Sequence, residues 1–322
     1  MKLHHHNRQA NPSGFVRHCR ILILATSLAL GACSILPTVP DDVKAVTAHQ
    51  QPVELKDVPF FSQEDYYCGP SSLAMALNYQ GAKTTPDQQA KLVYVPDRKG
   101  SLQVEMLAAP RTQGYLGYEV EPNAQALFKA LNENQPVVVL LNLSLQIAPM
   151  WHYAVVVGYD PKTDVVVLRS GKKERDEIPL ATFLKLWERS KNWGFVVLKP
   201  SAKVPEFATA QGYLNAAVAL ERSDSKGALK AYQQGMERWP SEPWFYFAAG
   251  NIQAGNKQFK DAETNYSKAV SLYPDMADAW NNLAEVLIEL GKISEARAAV
   301  NKAISLGGPR LAAYRDTARK LD

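Results

Sequence analysis

Three cysteines and six histidines are present in 322 residues, and one of each stands where it can do chemistry. Cys68 opens "CGPSSLAMALNYQ", directly before Gly69 and Pro70. Apolar residues at 73, 76 and 77 fit one helical face, and proline is tolerated in a first helical turn. Cys68 is therefore expected at a helix N-terminus. That end carries partial positive charge and unpaired N–H groups, which favour a thiolate and lower a thiol from about 8.5 towards neutrality. Buried in mid-helix the same residue is only a small hydrophobe. His152 heads "HYAVVVGYD", a strand end that a loop can open to substrate. A thiol and an imidazole are what a nucleophile–base pair requires. The plainer readings are a packed cysteine and a hydrogen-bonded strand histidine. Zinc fits poorly, since two more ligands are needed and no metal-ligand spacing is visible. Neither a metal nor a cofactor is expected.

The remaining cysteines sit in a segment that is not expected to join the fold. Lys2, Arg8, Arg17 and Arg20 precede the apolar run "ILILATSLALGA", residues 21–32. A basic region, a short apolar core and small residues describe a secretory signal over 1–32. Twelve apolar residues are too few for a membrane span, which takes about 20. Residues 1–32 hold four of the 36 basic residues and none of the 32 acidic ones. The rest is thus neutral, and no basic surface argues for nucleic acid. "LGAC" also resembles a bacterial lipoprotein lipobox. This implies a cut before Cys33, lipidation of Cys33, and, with Ser34 rather than Asp next, the outer membrane facing the periplasm. Cys68 is then the one free thiol in an oxidising compartment, where cysteines are normally paired.

Positioning these groups falls to two folded parts. Residues 33–56 read as a proline-containing tether. From 57 to 200 helical patterns come first, followed by the valine-rich strands "PVVVLLNL", "HYAVVVGYD", "DVVVLRSG" and "GFVVLK". "YDPKTD" reads as a hairpin turn, and the class is α+β with a mostly antiparallel sheet. From 208 to 322 the chain repeats every 34 residues: Ala228, Ala262 and Ala296; Tyr232, Tyr266 and Val300; Pro240, Pro274 and Gly308. That helical period marks three tetratricopeptide repeats, with "PRLAAYRDTARKLD" as a capping helix.

"QEDYYCGPSSLAMALNYQG" followed by "HYAVVVGYD" resembles the bacteriocin-processing, double-glycine-leader cysteine peptidases and their stand-alone relatives, over roughly residues 55–198. The resemblance implies a papain-like fold with Cys68 as nucleophile, His152 as general base and Gln63 as an oxyanion donor. The family's Asp-Pro after the histidine strand has no counterpart here, because the matching stretch reads "VVLRSGK". Asp160 is no substitute, at about 26 Å of strand from His152. Folding the hairpin about Lys162 brings Ser170 beside His152. Folding the preceding connection about residue 147 puts Asn142 opposite it. Either residue is a candidate orienter.

The expected function is an exported, membrane-anchored thiol peptidase whose repeats recruit a protein partner or the peptide substrate. The alternative is a peptidase-like scaffold that binds peptides without turnover, which the missing carboxylate favours. Other acyl transfers use the same pair. With no phosphate loop and no membrane bundle, the transporter-linked form of the leader peptidases is set aside.

Overall fold

The computed structural model describes residues 37–63 and 66–322. The expected signal peptide and Cys33 lie outside them. The segment expected to be a tether is already folded from Asp41. Helix α1 (Asp41–Thr47) buries Val43 and Thr47, and strand β1 (Val53–Glu54) pairs with a strand of the main sheet. Period reading missed both because they are short, each starting directly after a proline, Pro40 or Pro52.

The helix opened by Cys68, α2 (Cys68–Tyr79), is buried from Gly69 through Leu77. A helix enclosed on all sides needs no polar face, which explains its run of small and apolar residues. Helix α3 (Pro86–Val93) starts from a capping box in which Thr85 Oγ1 accepts from the Gln88 N–H. A short ribbon of β2 (Tyr94–Val95) and β3 (Gly100–Ser101) follows, then α4 (Gln103–Ala108) and β4 (Leu116–Glu119). Helix α5 (Ala124–Asn132) precedes β5 (Val137–Asn142), β6 (Trp151–Asp160), β7 (Val165–Ser170) and β8 (Lys173–Pro179). Helix α6 (Leu180–Glu188) and β9 (Gly194–Leu198) complete this part.

The seven-stranded sheet runs β4-β9-β5-β6-β7-β8, every pair antiparallel, with β1 pairing β6 beside this path. The long β6 lies against β5 over its first half and against β1 at Gly158–Tyr159. Gly158 permits that approach, since a Cβ there would stand 2.5 Å from the Val53 carbonyl oxygen. Val137–Leu141 and Phe195–Leu198 are buried throughout, so a continuous apolar run is read correctly as interior strand. Strand β8, "KERDEIP", has no such run. Its charges suit an edge strand, and nothing in its pattern distinguishes it from a loop.

The C-terminal part is all helical: α7 (Ala210–Glu221) with α8 (Ser225–Arg238), α9 (Pro243–Gly255) with α10 (Phe259–Leu272), α11 (Ala277–Glu289) with α12 (Ile293–Leu306), then α13 (Leu311–Arg319). Ala228, Ala262 and Ala296 are fully buried, the small positions that let paired helices close up. The segment between the two parts is fastened down rather than loose. Glu133 accepts the N–H groups of Glu206 and Phe207, and Tyr118 Oη accepts that of Thr209. The first helical pair and α9 share one apolar core with the sheet, while the later helices build a second.

Candidate active site

Cys68 is the first residue of α2, and the side chain of the preceding Tyr67 supplies no cap. Pro70 has no N–H and that of Ser71 meets the Tyr67 carbonyl, so the N–H groups left open at the helix tip are those of Cys68 and Gly69. Helix α2 packs on β6. The backbone N–H groups of Tyr153 and Gly69 reach the sulfur and favour its anion, but burial acts more strongly and pushes the thiol above its ordinary value. The expectation of a thiol lowered by its helix end is corrected here. At a half-buried tip, lost hydration outweighs the helix N–H groups.

His152 is the second residue of β6, half-buried, next to the residue whose N–H meets the sulfur. Its Nε2 is 2.9 Å from Ser170 Oγ. Ser170 was one of two candidate orienters, and the register makes it a diagonal neighbour: Val155 pairs with Arg169 and Val156 with Leu168. Diagonal neighbours on one face are within side-chain reach. With Nε2 engaged, Nδ1 is the ring atom left for a thiol proton. Burial lowers the imidazole below its ordinary value, and the Asp176 carboxylate opposes this from β8. Asp176 pairs with Leu168, so His152, Ser170 and Asp176 face the same side of the sheet. This carboxylate was invisible in the sequence because β8 was. It bonds Lys173 Nζ at 2.8 Å.

Asn142 does not stand opposite His152. The register pairs it with Trp151, and Leu141 with His152, so Asn142 points to the other face. It is buried, and its Oδ1 accepts the N–H groups of Ser144 and Met150, both at 3.0 Å. The loop turns half a residue earlier than expected, and that half-residue decides the face.

Gln63 is buried and tied to the end of β7. Its N–H donates to the Gly171 carbonyl at 2.9 Å, and its Oε1 accepts the Gly171 N–H at 2.9 Å. Only an oxygen can accept there, so the amide NH₂ must face α2, where it donates to Ser72 Oγ at 3.3 Å. Nε2 keeps a second hydrogen with no partner among the described residues. A ring of contacts thus closes: Cys68 to Tyr153, His152 to Ser170, Gly171 to Gln63, Gln63 to α2.

Gly69 is required by what presses on the helix tip. A Cβ there would lie 2.7 Å from Ser101 Cβ and 3.2 Å from Met106 Sδ. Alanine gains about 1 kcal/mol in a helix interior, but forcing atoms into filled space costs about 1–3 kcal/mol. Since a Cβ cannot rotate aside, β3 has to shift. Gly69→Ala is expected to lower the urea midpoint of unfolding, and an unchanged or raised midpoint would show a slack contact.

Against known proteins, residues 55–194 match the Peptidase_C39 like family and residues 253–320 a tetratricopeptide repeat family. The chain thus carries an N-terminal α+β Peptidase C39-like domain with an antiparallel sheet, followed by an all-helical tetratricopeptide domain. A Bacillus anthracis structure described as a C39-like peptidase is 18% identical, covering 47% of this chain and 98% of its own, with a TM-score of 0.40. The TPR2B domain of yeast Sti1, solved as a pHsp70 complex, is 19% identical over 35% of this chain and 94% of its own, with a TM-score of 0.33. The type III secretion chaperone SycD of Yersinia enterocolitica, in complex with a peptide of the translocator YopD, is 17% identical over 36% and 95%, with a TM-score of 0.34. No curated protein matches the chain.

Proposed function

We propose that the C39-like domain is a cysteine peptidase. Cys68 is the nucleophile, His152 Nδ1 takes its proton, and Ser170 orients the ring. The thiolate attacks the scissile carbonyl carbon, the imidazolium protonates the leaving amine as the C–N bond breaks, and water releases the acyl group. The Cys68 N–H and the Gln63 NH₂ receive the developing oxyanion. The observation that supports this best is the ring of contacts, which links the start of α2, the start of β6, the end of β7 and Gln63 in one circuit. We further place the protein in the cell envelope as a lipoprotein, anchored through Cys33 to the outer membrane and facing the periplasm. The repeats recruit a protein partner or hold the substrate.

Both members of the pair are pushed towards neutrality, the thiol up and the imidazole down. The resting pair is neutral, and the proton moves only as the thiol reacts. The sign follows directly. Above about pH 6.5 the imidazole is free to accept a proton, whereas the thiolate fraction is still rising at pH 9. Iodoacetamide labelling of Cys68 is expected to climb steadily between those values, with no plateau at neutral pH, and to slow in His152→Ala. Equal slow labelling in both proteins removes the peptidase reading.

A second reading has one observation in its favour: a hydroxyl, not a carboxylate, meets His152. On it the domain holds peptides without cleaving them, and Cys68→Ser leaves the cellular role intact.

A further inference from the structure

We propose that the loop between β5 and β6 is a docking surface for an extended, apolar stretch of the peptide substrate; this deepens the peptidase reading and rests on it. The loop and the first residue of β6 read "LSLQIAPMW", residues 143–151, without a single charge. Leu143, Leu145, Ile147, Met150 and Trp151 are all exposed, Ile147 by 92% and Leu145 by 62%. The loop is nevertheless held firmly. The Leu143 N–H donates to Met150 O at 2.9 Å and the Ala148 N–H to Leu145 O at 3.1 Å. Arg189 donates to the carbonyls of Asn142 and Ser144, and Asn142 closes the base. Rigid presentation of large apolar groups to water is costly unless something covers them.

Two more exposed apolar residues point to what that is. Tyr66 stands two residues before Cys68. Leu102 follows Ser101, whose carbonyl accepts Tyr153 Oη at 3.2 Å. Three separate stretches, each within two residues of Cys68, Ser101 or His152, thus carry exposed apolar side chains, and they hold seven of the thirteen large exposed apolar residues among those described. Exposed apolar side chains on stretches that flank the proposed nucleophile and base suit a chain laid across them. Interfacial anchors set free Lys or Arg beside their apolar residues; the loop has none of its own, and the neighbouring Arg189 is engaged by the Asn142 and Ser144 carbonyls. Ile147 is five residues from His152, at most about 16 Å along an extended chain. The preferred side chains, aliphatic or aromatic, therefore lie within about five positions of the cleaved bond.

The test uses the full chain with Cys68→Ala, so that binding is read without turnover. Two fluorescein-labelled peptides of equal length are compared, one with Leu and Phe across its centre and one with Ser and Asn. The apolar peptide is expected to bind at least about tenfold tighter, the lower end of what small differences in apolar contact supply. Adding Leu145→Ser and Ile147→Ser should bring the ratio close to one. If the doubly substituted loop unfolds the protein, Ile147→Ser alone is read, since that side chain touches mostly water. Equal binding of the two peptides, or a ratio that survives the loop substitutions, overturns the inference. So does loop-dependent retention on phosphatidylethanolamine–phosphatidylglycerol vesicles without a peptide preference, which would make the loop a membrane contact. Failure of iodoacetamide to discriminate wild type from His152→Ala, by contrast, removes the peptidase reading and leaves the binding result standing by itself.

Discussion

The Cys68→Ala chain is expected to lose peptide cleavage by about 10⁴- to 10⁶-fold, as when a nucleophile is deleted from an acyl-transfer site. His152→Ala should cost a similar amount, and the double substitution little more than either alone, because the two groups act as one unit. Stability should move far less. The thiol is half-buried at a helix tip, and losing one sulfur's worth of apolar contact costs about 1 kcal/mol. The measurement is kcat/KM on a peptide substrate, with the thermal midpoint recorded for each variant. Cleavage that persists in purified Cys68→Ala would assign the activity to a different residue. A small shared effect of the two substitutions would likewise mean that the sulfur and the ring do not cooperate. Serine is no rescue at position 68, because a hydroxyl in the same half-buried setting is a far weaker acid than the thiol it replaces.

The residues proposed to carry this chemistry stand out in the sequence because they are sparse. With one cysteine and one histidine left in the domain, chemistry required little choice between candidates. The strands that hold them were equally legible, since Val137–Leu141 and Tyr153–Val157 are interior and spell out apolar runs. What stayed hidden depended on register or on polar segments. Asn142 and Ser170 were even candidates until the pairing of Leu141 with His152 turned Asn142 away. Asp176 could not be found at all, because an edge strand with five charged residues in a row has the pattern of a loop. The acidity of Cys68 was misjudged for another reason. A helix N-terminus is visible in sequence, but the hydration lost when Ser101, Met106 and Tyr153 close over it is not.

Register also sets up the substitution with the most to teach about the absent carboxylate. Ser170→Asp puts an anion where Oγ now lies 2.9 Å from His152 Nε2. An opposite charge at that distance favours the imidazolium and raises the ring's pKa, so the proton leaves the thiol more readily. The new carboxylate would also fix the Nε2–H tautomer, leaving Nδ1 unprotonated and free to take a proton. Two neighbours influence the outcome. Asp176 shares the sheet face and repels a second anion, whereas Lys173 pairs with position 170 across β7 and β8 and attracts one. The cation is the register partner and Asp176 already bonds it, so attraction is expected to prevail. Ser170→Asp should raise kcat/KM by about 10- to 100-fold, a modest share of the 10²–10⁴ that proton transfer contributes. It should also lift iodoacetamide labelling at pH 6.5 and flatten its climb towards pH 9. Ser170→Ala should do the reverse and slow both. If Ser170→Asp is folded but no faster, with an unchanged labelling profile, the Ser170 contact does not steer His152. In that case the hydroxyl is only a hydrogen-bond filler, and the scaffold reading gains the ground the peptidase reading loses.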